Sequence, residues 1–302
     1  MAGIVSEWYG YPVGDHSTEA VLAASEKTCP FVVGPCTKQG GVCAVRPSGE
    51  TIIVCPKRLY FAGHQFLREI AADAFDSFEC ECGPDGLPVL IEGGLVRGEA
   101  ARTGRNRVGV YGQEWGGEIK LPEAMPGGAR YSIDFVLVVV GAAGDLLAFV
   151  PVEVQTIDTT GSYKPSVAAL EASRGVVKSS FHMNWENVNK RILPQLITKG
   201  LMLQGEALCK SGMYFVAPEP VFKRIMIRLG GESRLRRIPK QPGGITFVRY
   251  AYDEDRAQGA GTLELTRRFD ITISTSDMSL AFISPQNLPP AGSYERLIHQ
   301  RL

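Results

Sequence analysis

The sequence predicts a mixed α/β protein in which a central sheet is flanked by helices, and three observations carry that expectation. Two apolar runs with strand character, residues 131–137 and 149–155, lie either side of Gly141-Ala142-Ala143-Gly144-Asp145, a stretch built to turn. Two longer segments, residues 59–78 and 184–208, space their apolar side chains at helical intervals. Three later runs, residues 213–216, 245–252 and 263–274, again read as strands. With 302 residues, 44% hydrophobic and 21% charged, the chain has room for one large domain or a core with a smaller appendage.

The elements follow in order. Ser17-Thr18-Glu19 is a helix start, and the helix over residues 17–28 leads into a cysteine-rich region. In the segment 59–78, Phe66, Leu67, Ile70, Ala71, Ala74 and Phe75 define one helical face. The Gly/Pro-rich stretch 84–94 marks a boundary, so residues 1–90 are expected to form an N-terminal metal-binding region and residues 91–302 the core. The core opens with the short strand 108–111, and the two apolar runs follow. Residues 163–177 read as a helix with Val167, Leu170 and Val177 on similar faces, and the helix over 184–208 is expected to bend at Pro194.

Charge excludes little. Lys+Arg and Asp+Glu balance at 32 each, so no global basic field advertises nucleic acid, although a local groove suffices for DNA. Residues 1–10 lack the pattern of a secretory leader, and the longest apolar stretch, 135–143, is too short for a bilayer. A soluble, cytoplasmic protein without membrane partners is expected. His16, His64, His182 and His299 are scattered and make no nucleophile–base pair, which removes serine and cysteine hydrolases from consideration.

Seven cysteines without an export signal argue against a disulfide framework. Four of them, Cys29, Cys36, Cys43 and Cys55, fall within 27 residues at C-x6-C-x6-C-x11-C spacing. Two readings stand: a closed tetrahedral metal site, or four buried free thiols. The loops around Gly34, Pro35, Gly40, Gly41, Pro47 and Gly49 need something to hold them, which favours a structural metal. Iron and zinc both suit tetrahedral sulfur. Cys80 and Cys82, in a polar segment, read as surface thiols.

The chemistry-bearing patch follows from the strand period. Val150, Val152 and Val154 share one side of their strand, so Glu153 and Gln155 point together to the other. Folding back about residues 141–145 brings Asp134 within a residue or two of Glu153 across the ladder. Two carboxylates and an amide then converge, an oxygen set that a hard cation such as Mg2+ takes. Polar residues alternating with valines are equally the mark of a half-solvated strand, and the pattern by itself does not separate the two.

An acid on one strand and E-x-Q on the next is a variant of the PD-(D/E)xK arrangement of metal-dependent nucleases, with Gln155 where lysine is usual. The chain resembles the NotI-type restriction endonucleases. The resemblance is carried by Thr28-Cys29-Pro30-Phe31, Gly41-Val42-Cys43 and Val54-Cys55-Pro56-Lys57-Arg58, then by Gln113-Glu114 with Gly116-Gly117-Glu118 and by Ser132-Ile133-Asp134-Phe135. Its most specific block is Val152-Glu153-Val154-Gln155-Thr156-Ile157-Asp158 with Gly161-Ser162-Tyr163-Lys164, and it extends to about residue 210.

The resemblance implies a PD-(D/E)xK core and a homodimeric type II enzyme that cuts double-stranded DNA at a GC-rich palindrome of the CGGCCG or GCGGCCGC type, leaving four-base 5′ overhangs. Asp134, Glu153 and Gln155 would be the nuclease-site residues, with Glu118 a further acid nearby. Cys29, Cys36, Cys43 and Cys55 would hold one iron atom. A prokaryotic cytoplasm and a protective DNA methyltransferase in the same host follow from that role. Bottom-up chemistry agrees: a Mg2+ ion on Asp134 and Glu153 would stabilise phosphoryl charge and acidify a water. Gln155 cannot deliver positive charge, which shifts that burden to metal. Arg102, Arg105 and Arg107, Arg234, Arg236, Arg237 and Lys240, and Lys164 are the basic residues expected near DNA. Two alternatives remain at this stage, a non-catalytic DNA-binding protein and a non-restriction nuclease sharing the fold.

Overall fold

A computed structural model describes residues 2–120, 131–253, 261–285 and 288–302. The chain begins with β1 (Ala2–Trp8), β2 (Tyr11–Pro12), α1 (Thr18–Glu26), β3 (Val42–Ser48), β4 (Glu50–Ile53) and α2 (Phe61–Ala74). Then come β5 (Leu90–Glu92), α3 (Val96–Thr103), β6 (Arg107–Gly112), the hairpin of β7 (Phe135–Val140) and β8 (Leu146–Val154), β9 (Thr159–Gly161), α4 (Lys164–Ser173) and β10 (Ser179–Met183). The remainder supplies α5 (Leu193–Leu203), β11 (Met213–Pro218), α6 (Glu219–Arg228), β12 (Gly244–Tyr252), β13 (Leu265–Arg267), β14 (Ile271–Ser274), α7 (Thr275–Ile283) and α8 (Ser293–His299).

The strands form two sheets, and the mixed α/β expectation holds. The larger is ordered β13-β12-β11-β8-β7-β6-β5, with β14 also on β12. Its centre is mixed: β7 is antiparallel to β6 and β8, whereas β8, β11 and β12 run parallel. Side-chain alternation gives the central strands two buried faces. Phe135, Leu137 and Val139 of β7, with Val150, Val152 and Val154 of β8, meet Phe66, Leu67 and Ile70 of α2. Val136, Val138 and Val140, with Met213 and Phe215 of β11, pack in one cluster with Val96 of α3, Leu193 and Leu196 of α5, Phe222 of α6 and Met278 of α7. The sheet is thus covered on both sides, as runs of consecutive valine require.

Local sequence explains the departures from expectation. Ser17 caps α1, its Oγ accepting from Ala20 N at 3.3 Å. The helix expected over 59–78 is preceded by a short 3-10 turn, Pro56–Tyr60, and begins with a left-handed turn at Ala62, Gly63 and His64 (φ 49°, 63° and 63°). The bend expected at Pro194 lies just ahead of it: a π-helical turn, Val188–Ile192, hands over to α5 with Pro194 in the first turn, where its missing N–H costs nothing. The run 263–274 is two short strands, both antiparallel to β12, broken at a corner where Arg267 pairs with Asp270. Helices α3, α6, α7 and α8 were not expected.

The smaller sheet is ordered β4-β3-β1-β10-β9, with β2 on β1. Contacts cross the boundary expected at residue 90: β1 pairs with β10 (Gly3 opposite Ser179), and α2 lies on the larger sheet. Among the described residues no helix is long and apolar enough to cross a membrane.

Candidate active site

The hairpin register builds the site. Phe135 pairs with Val152, so Asp134, one residue before β7, stands opposite Glu153. On its other side β8 pairs with β11, Glu153 opposite Phe215, and Gln155 N donates to Val216 O at 2.9 Å. Where β7 has ended, the Val154 N–H has lost its strand partner, and Asp134 Oδ2 accepts from it at 2.8 Å. One carboxylate thereby closes the ladder.

Because Val152 and Val154 face α2, Glu153 projects to the opposite face, where α5 lies. There its Oε1 accepts from Lys199 Nζ, in an ion pair only 11% (Lys199) and 13% (Glu153) exposed. The small cleft around them is lined by Gln155, Ile192, Gln195, Leu196 and Phe215. The Gln155 amide Nε2 donates to Thr156 O at 3.0 Å.

The acids act on one another electrostatically. Burial first, then repulsion by Asp134 and Glu118, pushes the Glu153 carboxyl up to about 7, against the pull of Lys199. Burial likewise raises Asp134, opposed by the Val154 N–H and by Lys199, and the two carboxyls share a hydrogen bond. Glu118 is exposed, beyond β6, yet close enough to be felt by both. Tyr60 completes the wall: its ring stands edge-on to Phe135 at 5.5 Å, and its phenol is raised by burial and by Asp134, Glu114 and Glu118.

Buried acids outnumber the single ammonium, a balance that suits a divalent cation. Asp134 and Glu153 supply two of the oxygen ligands such an ion takes. Among the described residues no three Asp, Glu, His or Cys side chains already close on one metal position.

The four cysteines sit where α1 and the β3–β4 hairpin meet. Cys55 N and Val54 N both donate to Cys43 O, at 3.2 and 2.9 Å. Cys29, Cys43 and Cys55 pack with Phe31, Tyr60 and Phe61 in one cluster, while Cys36 couples electrostatically to Cys29. Burial raises the Cys29, Cys43 and Cys55 thiols, Cys43 most strongly. Cys82 is exposed and Cys80 half-buried. Tyr60 belongs both to this cluster and to the wall beside Asp134, so the two candidate sites adjoin.

The basic candidates divide. Arg107 is buried against Glu81, which removes it from a DNA-facing surface. Arg102 pairs with Glu99, Arg236 with Asp277, Arg237 with Glu232 and Lys240 with Asp73, and Arg234 donates to Ser284 O. Arg105 and Lys164 are exposed.

Sequence reasoning missed Lys199. The signal was present: Leu196, Lys199, Gly200 and Leu203 share one face of a helix, so a lysine stands in a stripe otherwise made for burial. No protein-family model matches the chain, and no curated protein sequence matches it.

Proposed function

We propose that the chain is a type II restriction endonuclease of PD-(D/E)xK architecture, hydrolysing double-stranded DNA in a Mg2+-dependent reaction at a GC-rich palindrome. The observation that carries this is Asp134 facing Glu153 at the end of a central hairpin, two half-buried carboxylates beside Gln155 and a lysine. A mixed sheet covered by helices on both faces is what the nuclease resemblance calls for.

Asp134 and Glu153 would hold the Mg2+ ion, which when bound supplies charge stabilisation and an acidified water. The protein's own residues do the rest. The Val154 N–H fixes the Asp134 carboxylate in place. The Gln155 amide lies in the same cleft, suited to orienting a water. Glu118, exposed on the loop after β6 and felt electrostatically by both acids, would suit outer-shell waters. Cys29, Cys36, Cys43 and Cys55 would hold one iron or zinc ion as scaffold, since four thiolates leave no open position for water. A palindromic target calls for a homodimer, each copy meeting one strand. A prokaryotic cytoplasm and a companion methyltransferase belong to the same proposal.

Incubation of DNA of mixed composition with the protein, with and without Mg2+, followed by sequencing of the ends, is the test. Discrete fragments with four-base 5′ extensions at CGGCCG or GCGGCCGC are expected. Smears and nicks would make it a non-restriction nuclease, and binding without cutting a non-catalytic DNA-binding protein.

A further inference from the structure

We infer that Lys199 is a catalytic residue, supplying from helix α5 the positive charge that Gln155 cannot supply from strand β8; this rests on the nuclease proposal above. Three observations lead to it. Glu153 and Gln155 lie on the same face of β8, about 7 Å apart along the strand. Lys199 Nζ reaches Glu153, and Lys199 lines the cleft together with Gln155. Its ammonium therefore stands in the cleft that Gln155 also lines, where a lysine at position 155 would emerge. Finally, Lys199 is a buried charge in a helix stripe where leucine or methionine would pack without desolvation cost. A buried ion pair is a poor device for stability alone, which leaves room for a chemical role.

In hydrolysis a water oxygen bonds to phosphorus as the P–O3′ bond breaks, and the water's proton ends on the departing 3′ oxygen. Negative charge builds on the phosphoryl oxygens meanwhile. An ammonium already desolvated and fixed beside the carboxylate pair offsets that charge without reorganising. Gln195, one turn before Lys199 at the rim of the cleft, is exposed and carries no charge to take its place.

The test uses single-turnover cleavage at saturating Mg2+, with DNA affinity measured separately in Ca2+. Lys199→Met is expected to slow cleavage by roughly 100-fold or more, in line with the loss of one preorganised charge-stabilising group, with DNA affinity within about threefold. Lys199→Arg should retain part of the rate. The decisive variant is Gln155→Lys combined with Lys199→Met: a lysine returned to the strand should recover cleavage at least tenfold over Lys199→Met alone. Wild-type rates from Lys199→Met would overturn the inference while leaving the nuclease proposal standing. A Lys199→Met variant whose defect is a raised Mg2+ requirement in a Mg2+ titration, and which neither Lys199→Arg nor Gln155→Lys relieves, would overturn it too, making Lys199 a support for Glu153. Wild-type protein that cuts no DNA would overturn both.

Discussion

Asp134 and Glu153 illustrate how far single residues could be read from the sequence. The strand period placed Glu153 and Gln155 on one side of β8, and the turn at 141–145 placed Asp134 across from them; the register bears out that geometry. The lysine was not legible in the same way, because periodicity says which residues share a helix face but not what that face meets. On the reading proposed above, Lys199 on α5, paired with Glu153, would meet part of the electrostatic burden assigned to metal. At this scale, Glu153→Ala and Asp134→Ala are each expected to abolish cleavage while leaving specific DNA affinity in Ca2+ within a few-fold, measured by gel shift beside a cleavage assay. Near-normal cutting by either variant would remove the assignment. Asp134→Asn is the gentler probe, since an amide oxygen can still accept from the Val154 N–H.

Elements were legible where their pattern was long and regular. Strands β7, β8, β11 and β12 and the bodies of α2 and α5 follow from apolar spacing, and α1 from its Ser17 start. Of the face expected over 163–177, α4 holds Val167 and Leu170, while Val177 lies beyond its end at Ser173 and is exposed. Helix α3 turns only Val96 and Ala100 inward, too sparse a stripe to see, and α6 opens with Glu219-Pro220, where a proline reads as an interruption although it sits harmlessly in the first turn. The left-handed entry to α2 was equally hidden, and it carries a pH dependence. His64 lies there, stacked on Tyr60 at 4.7 Å and 3.7 Å from Glu114, and burial lowers its imidazole to about 4. The folded protein thus keeps His64 neutral where the unfolded chain would already bind a proton. Its contribution is complete above pH 6.5 and is lost as pH falls from 6.5 toward about 4, roughly 3 kcal/mol in all. Thermal melts between pH 8 and pH 4.5 (~0.5 steps) should show this decline, and His64→Asn, uncharged and tolerant of a left-handed backbone, should flatten it.

At the scale of the whole molecule, distant segments are fastened together by groups no local pattern discloses. Arg58 is fully buried: its Nε donates to Glu7 at 2.8 Å, Nη2 donates to Leu263 O, and the guanidinium lies 4.6 Å from the Phe31 ring. Tyr252 of β12 donates to the same Glu7 at 2.8 Å. Arg58→Met leaves Glu7 buried without its cation and is expected to cost about 3–5 kcal/mol, with part of the loss recovered when Glu7→Gln is added; denaturant titration of the single and double variants checks both. Elemental analysis of the purified protein should find about one iron or zinc per chain, as one closed four-thiolate site requires, and its removal should lower the melting midpoint; metal-free protein of unchanged stability would leave the cysteines as free thiols.

The seating of α2 on the strands that carry Asp134 and Glu153 has a practical consequence for anyone seeking a minimal catalytic fragment. Trimming the chain to residues 91–302 would strip the lid of Phe66, Leu67 and Ile70 from Leu137, Val150 and Val152, and would leave β10 without β1 at its edge. Such a fragment would present bare apolar strand surface to water and aggregate rather than cut.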